Sequence, residues 1–360
     1  EKIRSKTSGF KGHIQITKYD ANNSDVSVMP ISKNQKFYPT FSNIKGIKNV
    51  QVYANQVGLI RTKTDFEGIV FKGVSTDYDW TFFKEYLIEG RIPDFNQKRT
   101  RDVLLSKTIV NRLQLQLNDT INVTFFKSKA SKLPSNRKLV ITGIYNTGFL
   151  EFDKNIMIGD IRQVQRLNRW SENEVGGFEV ILENFDELEQ KGTEIYKEID
   201  ATLDATTIAS NYPGLFEWIE LFDNNTWFII IIMILVAGIN MITALLVLIL
   251  ERIPMVGILK AMGSSNWSIR KIFLYNASYL IFVGLFWGNL IGLLLLFLQK
   301  YGGFITLDPA TYYVSEVPIS IDFLTIVFVN IGTLVLCFLM LIIPSVIITK
   351  IQPSKSIRFA

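Results

Sequence analysis

The sequence predicts two fused folds, an α+β domain over residues 1–222 followed by an α-helical transmembrane domain over residues 223–360. Three observations predict it. Charged residues are scattered through the first part and vanish from long stretches of the second. Uncharged apolar runs occupy about 226–250, 272–298 and 323–349, each longer than the roughly 18 residues that separate a spanning helix from a buried core helix. Short alternating stretches such as Ile121, Val123 and Phe125 read as half-buried strands.

The first part alternates strand and helix signals. Strands are predicted at His13–Thr17, Val50–Val57, Gly68–Val74, Val103–Leu105, around Ile121 to Phe125, around Leu139 and Ile141, and at Asn155–Ile158, Gly177–Leu182 and Ala205–Ile208. Helices are predicted at Lys107–Leu117, Asp160–Asn168 and Glu187–Asp200. Pro213–Phe222 reads as an aromatic-rich amphipathic piece entering the membrane, where its rings suit an interfacial belt. Between two strands, residues 126–138 form a turn-rich basic tip with Lys127, Lys129, Lys132, Pro134 and Arg137, which as a bare pattern is also what an ordinary solvated hairpin loop looks like.

Composition narrows the function classes. The net charge is +5, and no lysine–arginine stripe interleaves with aromatics, which argues against nucleic acid as a partner. The one cysteine, Cys337, lies in an apolar run, so no disulfide forms within the chain. The one histidine, His13, lies in an alternating apolar stretch, so a Ser-His-Asp triad has little to draw on and no Cys/His spacing suggests a metal. Asp77 and Asp79 beside Trp80 form a close acidic pair that reads as a turn, with no further ligand set nearby. No G-x-x-x-x-G-K-[ST] phosphate loop occurs. No catalytic, cofactor or metal site is therefore expected.

Orientation follows from the loops. Segment 251–271 carries Arg252, Lys260, Arg270 and Lys271, and the tail carries Lys350, Lys355 and Arg358. The loop between the second and third spans carries Lys300 against Asp308, Glu316 and Asp322. The positive-inside rule places the first loop and the C-terminus in the cytoplasm, and the middle loop and residues 1–222 outside. Residues 1–12 are polar and make no signal peptide. The expectation is a transmembrane helix preceding the chain, giving four spans.

Polar and small residues mark the spans. Asn240, Asn289 and Asn330 each sit inside an apolar run, where they either hydrogen-bond between helices or line a cavity. Gly284, Gly288 and Gly292 recur at every fourth position, which suits close approach of another helix. In the cytoplasmic loop, Pro254 suits a first helical turn, Gly263 a stop and Ser264 or Ser265 the next cap. Val256, Leu259 and Met262 fall three apart, so the loop reads as a short amphipathic helix at the membrane base, either a mere connector or a docking element.

That loop carries a resemblance. The pattern E-R-x-x-x-V-G-I-L-K-A-M-G from Glu251 to Gly263 resembles the coupling helix of the FtsX-like/MacB-like permease superfamily of ABC transporters, and Ile351, Pro353, Ile357 and Arg358 resemble its tail, departing at Ser354 and Ser356. The start of the chain, with Ile3, Arg4, Lys6, Gly9, Phe10, Gly12, His13 and Ile14, resembles the lipoprotein-releasing (Lol) permeases just after their first span. The resemblance implies a bacterial inner-membrane permease with a periplasmic domain and no ATPase of its own. ATP and magnesium would be bound by a cytosolic partner ATPase docked on Glu251, Arg252, Val256, Gly257, Leu259, Lys260, Ala261 and Gly263. It also implies a second permease protomer, lipoprotein substrates drawn from membrane lipid, and a periplasmic lipoprotein carrier recruited by a hairpin at Lys127–Arg137. An FtsX-type regulator of a cell-wall hydrolase and a MacB-type tripartite efflux permease are the competing family members.

Overall fold

A computed structural model describes residues 2–19, 26–96, 99–126, 134–307, 317, 319 and 321–345. Along the chain run α1 (Lys2–Lys11), β1 (Ile14–Lys18), β2 (Ile31–Ser32), β3 (Ile47–Arg61), β4 (Phe66–Val74), α2 (Thr81–Tyr86), β5 (Leu87–Gly90), β6 (Asp102–Ser106) and α3 (Lys107–Arg112). Then come β7 (Thr120–Phe125), β8 (Ser135–Tyr145), α4 (Leu150–Asp153), β9 (Ile156–Asp160), α5 (Ile161–Asn168), β10 (Glu174–Val175), β11 (Gly177–Leu182), α6 (Leu188–Glu198), β12 (Leu203–Thr207) and α7 (Ile208–Asn211). The last four elements are α8 (Pro213–Glu251), α9 (Ile253–Ala261), α10 (Asn266–Gly302) and α11 (Phe323–Ser345).

The chain divides into two compact units, one built mainly from Glu1–Phe216 and the other from Glu217–Ile305 with the residues from Val317 onward. The boundary expected at residue 222 therefore falls inside α8, and the first unit ends at Phe216.

Strand β3 organises the first unit. It exceeds the expected Val50–Val57 because it serves two sets of partners. Its first half pairs with β11, and Gly58–Arg61 pairs with β7, while the other edge pairs with β4. From β4 the sheet passes through β9, β6 and β8, and β7 returns it to β3. These strands close on themselves, so the ring has no free edge to pair with another chain. Phe71, Val103, Ile121, Val123, Phe125 and Ile141 are among the buried side chains that fill its core. Gly159 makes room for Phe71, since a Cβ there would lie 2.6 Å from the ring. Beyond the ring, β1 and β12 extend the sheet from β11, and β5 pairs with β8. The first unit is thus the expected mixed α and β fold, with helix α5 packed over β3 and β4 through Val164 and Leu167. Asp160 caps α5 through a bond from the Arg162 amide at 2.9 Å.

Several expectations need correction. Helix α3 stops at Arg112, short of Leu117, because Gln114 and Asn118 take left-handed backbone angles that end a helix. Pro213–Phe222 is no separate piece but the opening turns of the continuous α8. Arg270 and Lys271 belong to α10 rather than to a loop, since Ser265 caps that helix from the Ser268 amide at 3.2 Å. Helix α1 was not among the expected elements. It is polar, yet Lys6, Thr7, Phe10 and Lys11 are buried.

His13 and the acidic pair have structural roles. The His13 Nδ1 accepts from the Leu182 amide at 2.9 Å, and burial, aided by Lys48, lowers its pKa to about 4. Asp77 accepts from the Val52 amide and the Tyr38 hydroxyl, while Asp79 accepts from the Thr81 amide and Lys48. Among the described residues no His, Cys, Asp and Glu cluster could hold a metal. Asp153 is buried beside Thr147, which donates to it at 2.8 Å, and burial raises its pKa to about 6.

These two groups make pH act in opposite directions. A histidine held below its ordinary 6.5 stabilises the fold above that pH and loses the contribution as pH falls toward about 4. A carboxylate held above its ordinary 3.8 stabilises the fold below that value and loses the contribution as pH rises through about 6. Each is worth about 3 kcal/mol. His13→Gln is therefore expected to make the first unit gain stability between pH 6.5 and 4, and Asp153→Asn to make it lose stability over the same window. Urea unfolding of the detergent-solubilised chain at several pH values checks this; parallel slopes for the two variants contradict it.

Candidate functional site

Among the described residues three helical stretches are long and apolar enough to cross a membrane: Phe228–Glu251, Asn266–Gly302 and Phe323–Leu341. The third expected span ran on to residue 349, and its last residues lie outside the described ones. Within this unit, α8, α9, α10 and α11 share a small core of Leu245, Ile249, Val256, Ile269, Phe273 and Leu341.

The segment between α8 and α10 is built as a capped elbow. Helix α9 starts with Pro254 in its first turn and ends in a left-handed Gly263 at φ +90°. The Gly263 amide bonds to the Lys260 carbonyl and the Ser264 amide to the Leu259 carbonyl, each at 3.0 Å, so both orphan carbonyls are satisfied. Ser265 then caps α10.

The faces of α9 differ from the expected assignment. Val256 and Gly257 are buried against the other helices, and Leu259 and Lys260 are half-buried. The exposed side carries Glu251, Arg252, Ala261 and Gly263 together with Met255 (36% exposed), Ile258 (54%) and Met262 (79%). Met255, Ile258 and Met262 fall at i, i+3 and i+7, which is one helical stripe. Sequence reasoning missed Met255 and Ile258 as surface residues, although that spacing was there to find.

The polar residues of the spans split into two groups. Asn289 and Asn330 exchange two side-chain hydrogen bonds, at 2.6 and 3.0 Å, and so join α10 to α11. Each also donates to its own helix, to Leu285 and Ile326 respectively. Asn240 makes no such link to another described helix. It lines a cavity of about 630 Å³ among α8, α10 and α11, together with Gly284, Gly288, Asn289, Asn330 and Thr333. A Cβ at Gly284, Gly288 or Gly292 would meet nothing within 4 Å, so no described helix packs closely on that stripe. Close packing falls instead at Gly238 of α8, where a Cβ would collide with the Met340 side chain of α11. Replacing Asn330 by Val is expected to cost about 1 kcal/mol, and adding Asn289→Leu to cost little more, because the bonds are shared. Thermal unfolding in detergent of the single and double variants checks this, and full additivity contradicts it.

In the first unit, Lys127, Lys129 and Lys132 of the basic tip lie outside the described residues. Pro134 is exposed at its far side. The tip is shorter than expected, because β8 begins at Ser135 and Arg137 pairs with Val123 of β7 inside the strand ladder. Arg137 shares its face of β8 with buried Leu139 and Ile141. Burial and then the neighbouring Arg166 and Arg99 lower its pKa. Arg166, on α5, and Arg99, ahead of β6, are both exposed. Among the described residues no carboxylate pairs with any of the three. Half-buried Arg137 and exposed Arg99 and Arg166 form a positive patch beside the start of β8, and neither Arg99 nor Arg166 was singled out from the sequence.

Comparison with known proteins bears on these sites. Residues 227–353 match the family model of the FtsX-like permease C-terminal domain. The chain is 21% identical to the lipoprotein-releasing system transmembrane protein LolC of Neisseria meningitidis serogroup B, over 88% of this chain and 79% of that protein. It is 19% identical to LolC of Xylella fastidiosa over 72% of this chain, and spans 65% of that protein's length. Among solved structures, the extracellular domain of the noncanonic ABC-type transporter YknZ from Gram-positive bacteria matches at 12% identity and a TM-score of 0.37, covering 54% of this chain and 99% of that one. A domain of a permease protein from Porphyromonas gingivalis matches at 14% identity and a TM-score of 0.29, covering 55% and 89%.

Proposed function

We propose that the chain, whose residues 227–353 match the FtsX-like permease C-terminal domain and which is similar to LolC proteins, is an ABC permease that extracts lipoproteins from the outer leaflet of a bacterial inner membrane. It passes them to a soluble periplasmic carrier. A separate cytosolic ATPase binds ATP and magnesium and docks on α9. A second permease protomer, identical or related, faces this one, and the lipid anchor enters between them. Closure of the ATPase pushes on α9, and the spans carry the push to the outer domain. The cargo never crosses the membrane.

The observation that carries this reading is the exposed apolar stripe of Met255, Ile258 and Met262 on a capped elbow. Among the described residues the apolar stripe packs against nothing, and burying it in another protein is favourable. The excess of Lys and Arg in this loop and the tail supports a cytoplasmic position for it and a periplasmic position for the first unit. The Arg99, Arg137 and Arg166 patch suits an acidic carrier surface, since unpaired arginines gain charge-assisted bonds when a carboxylate approaches.

Depletion of the chain in its own cells tests the reading. Triacylated lipoproteins are expected to accumulate in the inner membrane. Normal sorting together with failed daughter-cell separation would instead point to control of a cell-wall hydrolase, and loss of drug or peptide efflux alone to an exporter.

A further inference from the structure

At the centre of the first unit, the Lys72 ammonium is buried and uses all three of its protons. It donates to both carboxylate oxygens of Glu179, at 2.7 and 2.8 Å, and to the Phe10 carbonyl at 2.6 Å. Gln51 donates to the same carboxylate at 2.9 Å. The rings of Tyr78 and Tyr53 lie 5.1 and 5.9 Å from the ammonium. Lys72 is on β4, Glu179 on β11, and Phe10 closes the last turn of α1. The ammonium thus sits at the negative end of a helix, on a carbonyl that has no partner inside the helix.

The surroundings fix α1 in that place. Gly12 turns at φ +72°, and a Cβ there would lie 2.8 Å from that of Glu179. At Gly9 a Cβ would collide with the Phe82 ring. The Phe10 ring packs against Phe82, Phe83, Tyr145 and Phe152, and Phe152 in turn meets Tyr212. Tyr212 and Leu215 pack on this aromatic cluster. They stand at the root of α8, which continues unbroken to Glu251.

A buried ion pair is a poor way to gain stability. Apolar residues of similar volume often do as well or better, because two charges need not be taken out of water. A fully satisfied pair does fix one geometry, since any shift leaves a buried charge unpaired. We propose that Lys72 and Glu179 clamp α1 to the sheet, so that the aromatic cluster and the root of α8 are held to the outer domain as one rigid body. Resting on the permease reading above, the clamp carries the stroke arriving along α8 into the sheet instead of letting it dissipate in a loose helix.

The test uses the full chain with its ATPase in lipid nanodiscs. Lys72→Met combined with Glu179→Leu removes both charges and keeps the volume filled. Amide exchange is expected to rise about tenfold or more in residues 3–12 and 208–216, while β4 and β11 stay protected. Unchanged exchange in those two segments overturns the clamp, and so does a rise shared equally by β4 and β11, which would mean general loosening. Should the double variant not fold, Gln51→Leu, which removes one bond to Glu179, is expected to give a smaller rise in the same two segments, and no rise there overturns the clamp. For the stroke, lipoprotein released per ATP is expected to fall at least fivefold with hydrolysis unaltered; wild-type release per ATP in a variant with loosened α1 overturns that part. A wild-type complex that releases nothing contradicts the permease reading alone, because the exchange result decides the clamp by itself.

Discussion

Ile258→Glu together with Met262→Glu is expected to detach the ATPase from the permease and abolish ATP-driven release. Both side chains are exposed on α9 and lie on one stripe with Met255. Truncating a central apolar anchor commonly costs 2 kcal/mol or more, and a buried carboxylate without a partner costs at least as much again as the lost contact. The two lost contacts alone amount to about 4 kcal/mol, roughly a thousandfold in affinity, before the carboxylate cost is added. The bundle should be untouched, since neither residue contributes to its core. Co-purification of the ATPase, with thermal stability of the chain as control, measures the effect. Val256→Ala gives the contrast: it removes buried volume from the bundle, so it should lower stability by about 1 kcal/mol or more and leave docking affinity nearly unchanged. Reversal of that pattern would place the docking surface elsewhere.

The second large effect concerns the arginine patch. Arg137→Glu with Arg166→Glu is expected to weaken carrier binding about a hundredfold at low salt. Among the described residues neither pairs with a carboxylate, so the change breaks no ion pair within them. It should also relieve the crowding of positive charge around Arg137. The wild-type affinity should fall as salt is raised, and the gap between wild type and variant should narrow, because screening acts on exposed charge pairs. Titration of the carrier onto the solubilised chain at several ionic strengths measures both. An affinity that ignores salt and both substitutions would assign the contact to other residues.

How far the sequence could be read follows from the range of the interactions involved. The spans were legible because an uncharged run of such length has few other places to go. The caps at Gly263 and Ser265 were legible because each is set within a few residues of the chain. The alternation of Ile121, Val123 and Phe125 gave β7 correctly. The length of β3 was hidden, because its outer half is held by β7, about 60 residues away in sequence, and the closing of the ring depends on that pairing. Helix α1 was hidden because what covers it is remote in sequence: Lys72 of β4 bonds its Phe10 carbonyl and Lys6 lies over the Tyr86 ring of α2.

Which side of α9 is exposed was not legible for a geometric reason. Residues three apart on a helix drift by about 60° at each step. Val256, Leu259 and Met262 therefore wind from the buried side of α9 to the exposed side, and they are not one face. Met255, Ile258 and Met262 stay within one face. The glycines of α10 matched a packing motif, but a motif names no partner; Gly284 and Gly288 line a cavity, and nothing described lies against Gly292. Of the three asparagines, only the reciprocal bond between Asn289 and Asn330 distinguishes a helix–helix link from the cavity-lining Asn240. Arg99 and Arg166 come to Arg137 from distant parts of the chain, so nothing local marked the patch.

The central claim is that this permease couples ATP to the release of lipoproteins. The chain is reconstituted in liposomes with its ATPase, any companion permease and a triacylated lipoprotein, and ATP and soluble carrier are added outside the membrane faces on which each acts. The account predicts that lipoprotein appears in the carrier fraction with ATP and not with a non-hydrolysable analogue, and that Ile258→Glu with Met262→Glu abolishes the transfer. Hydrolysis that continues with the lipoprotein still in the membrane, or transfer that proceeds equally well in that variant, would contradict it.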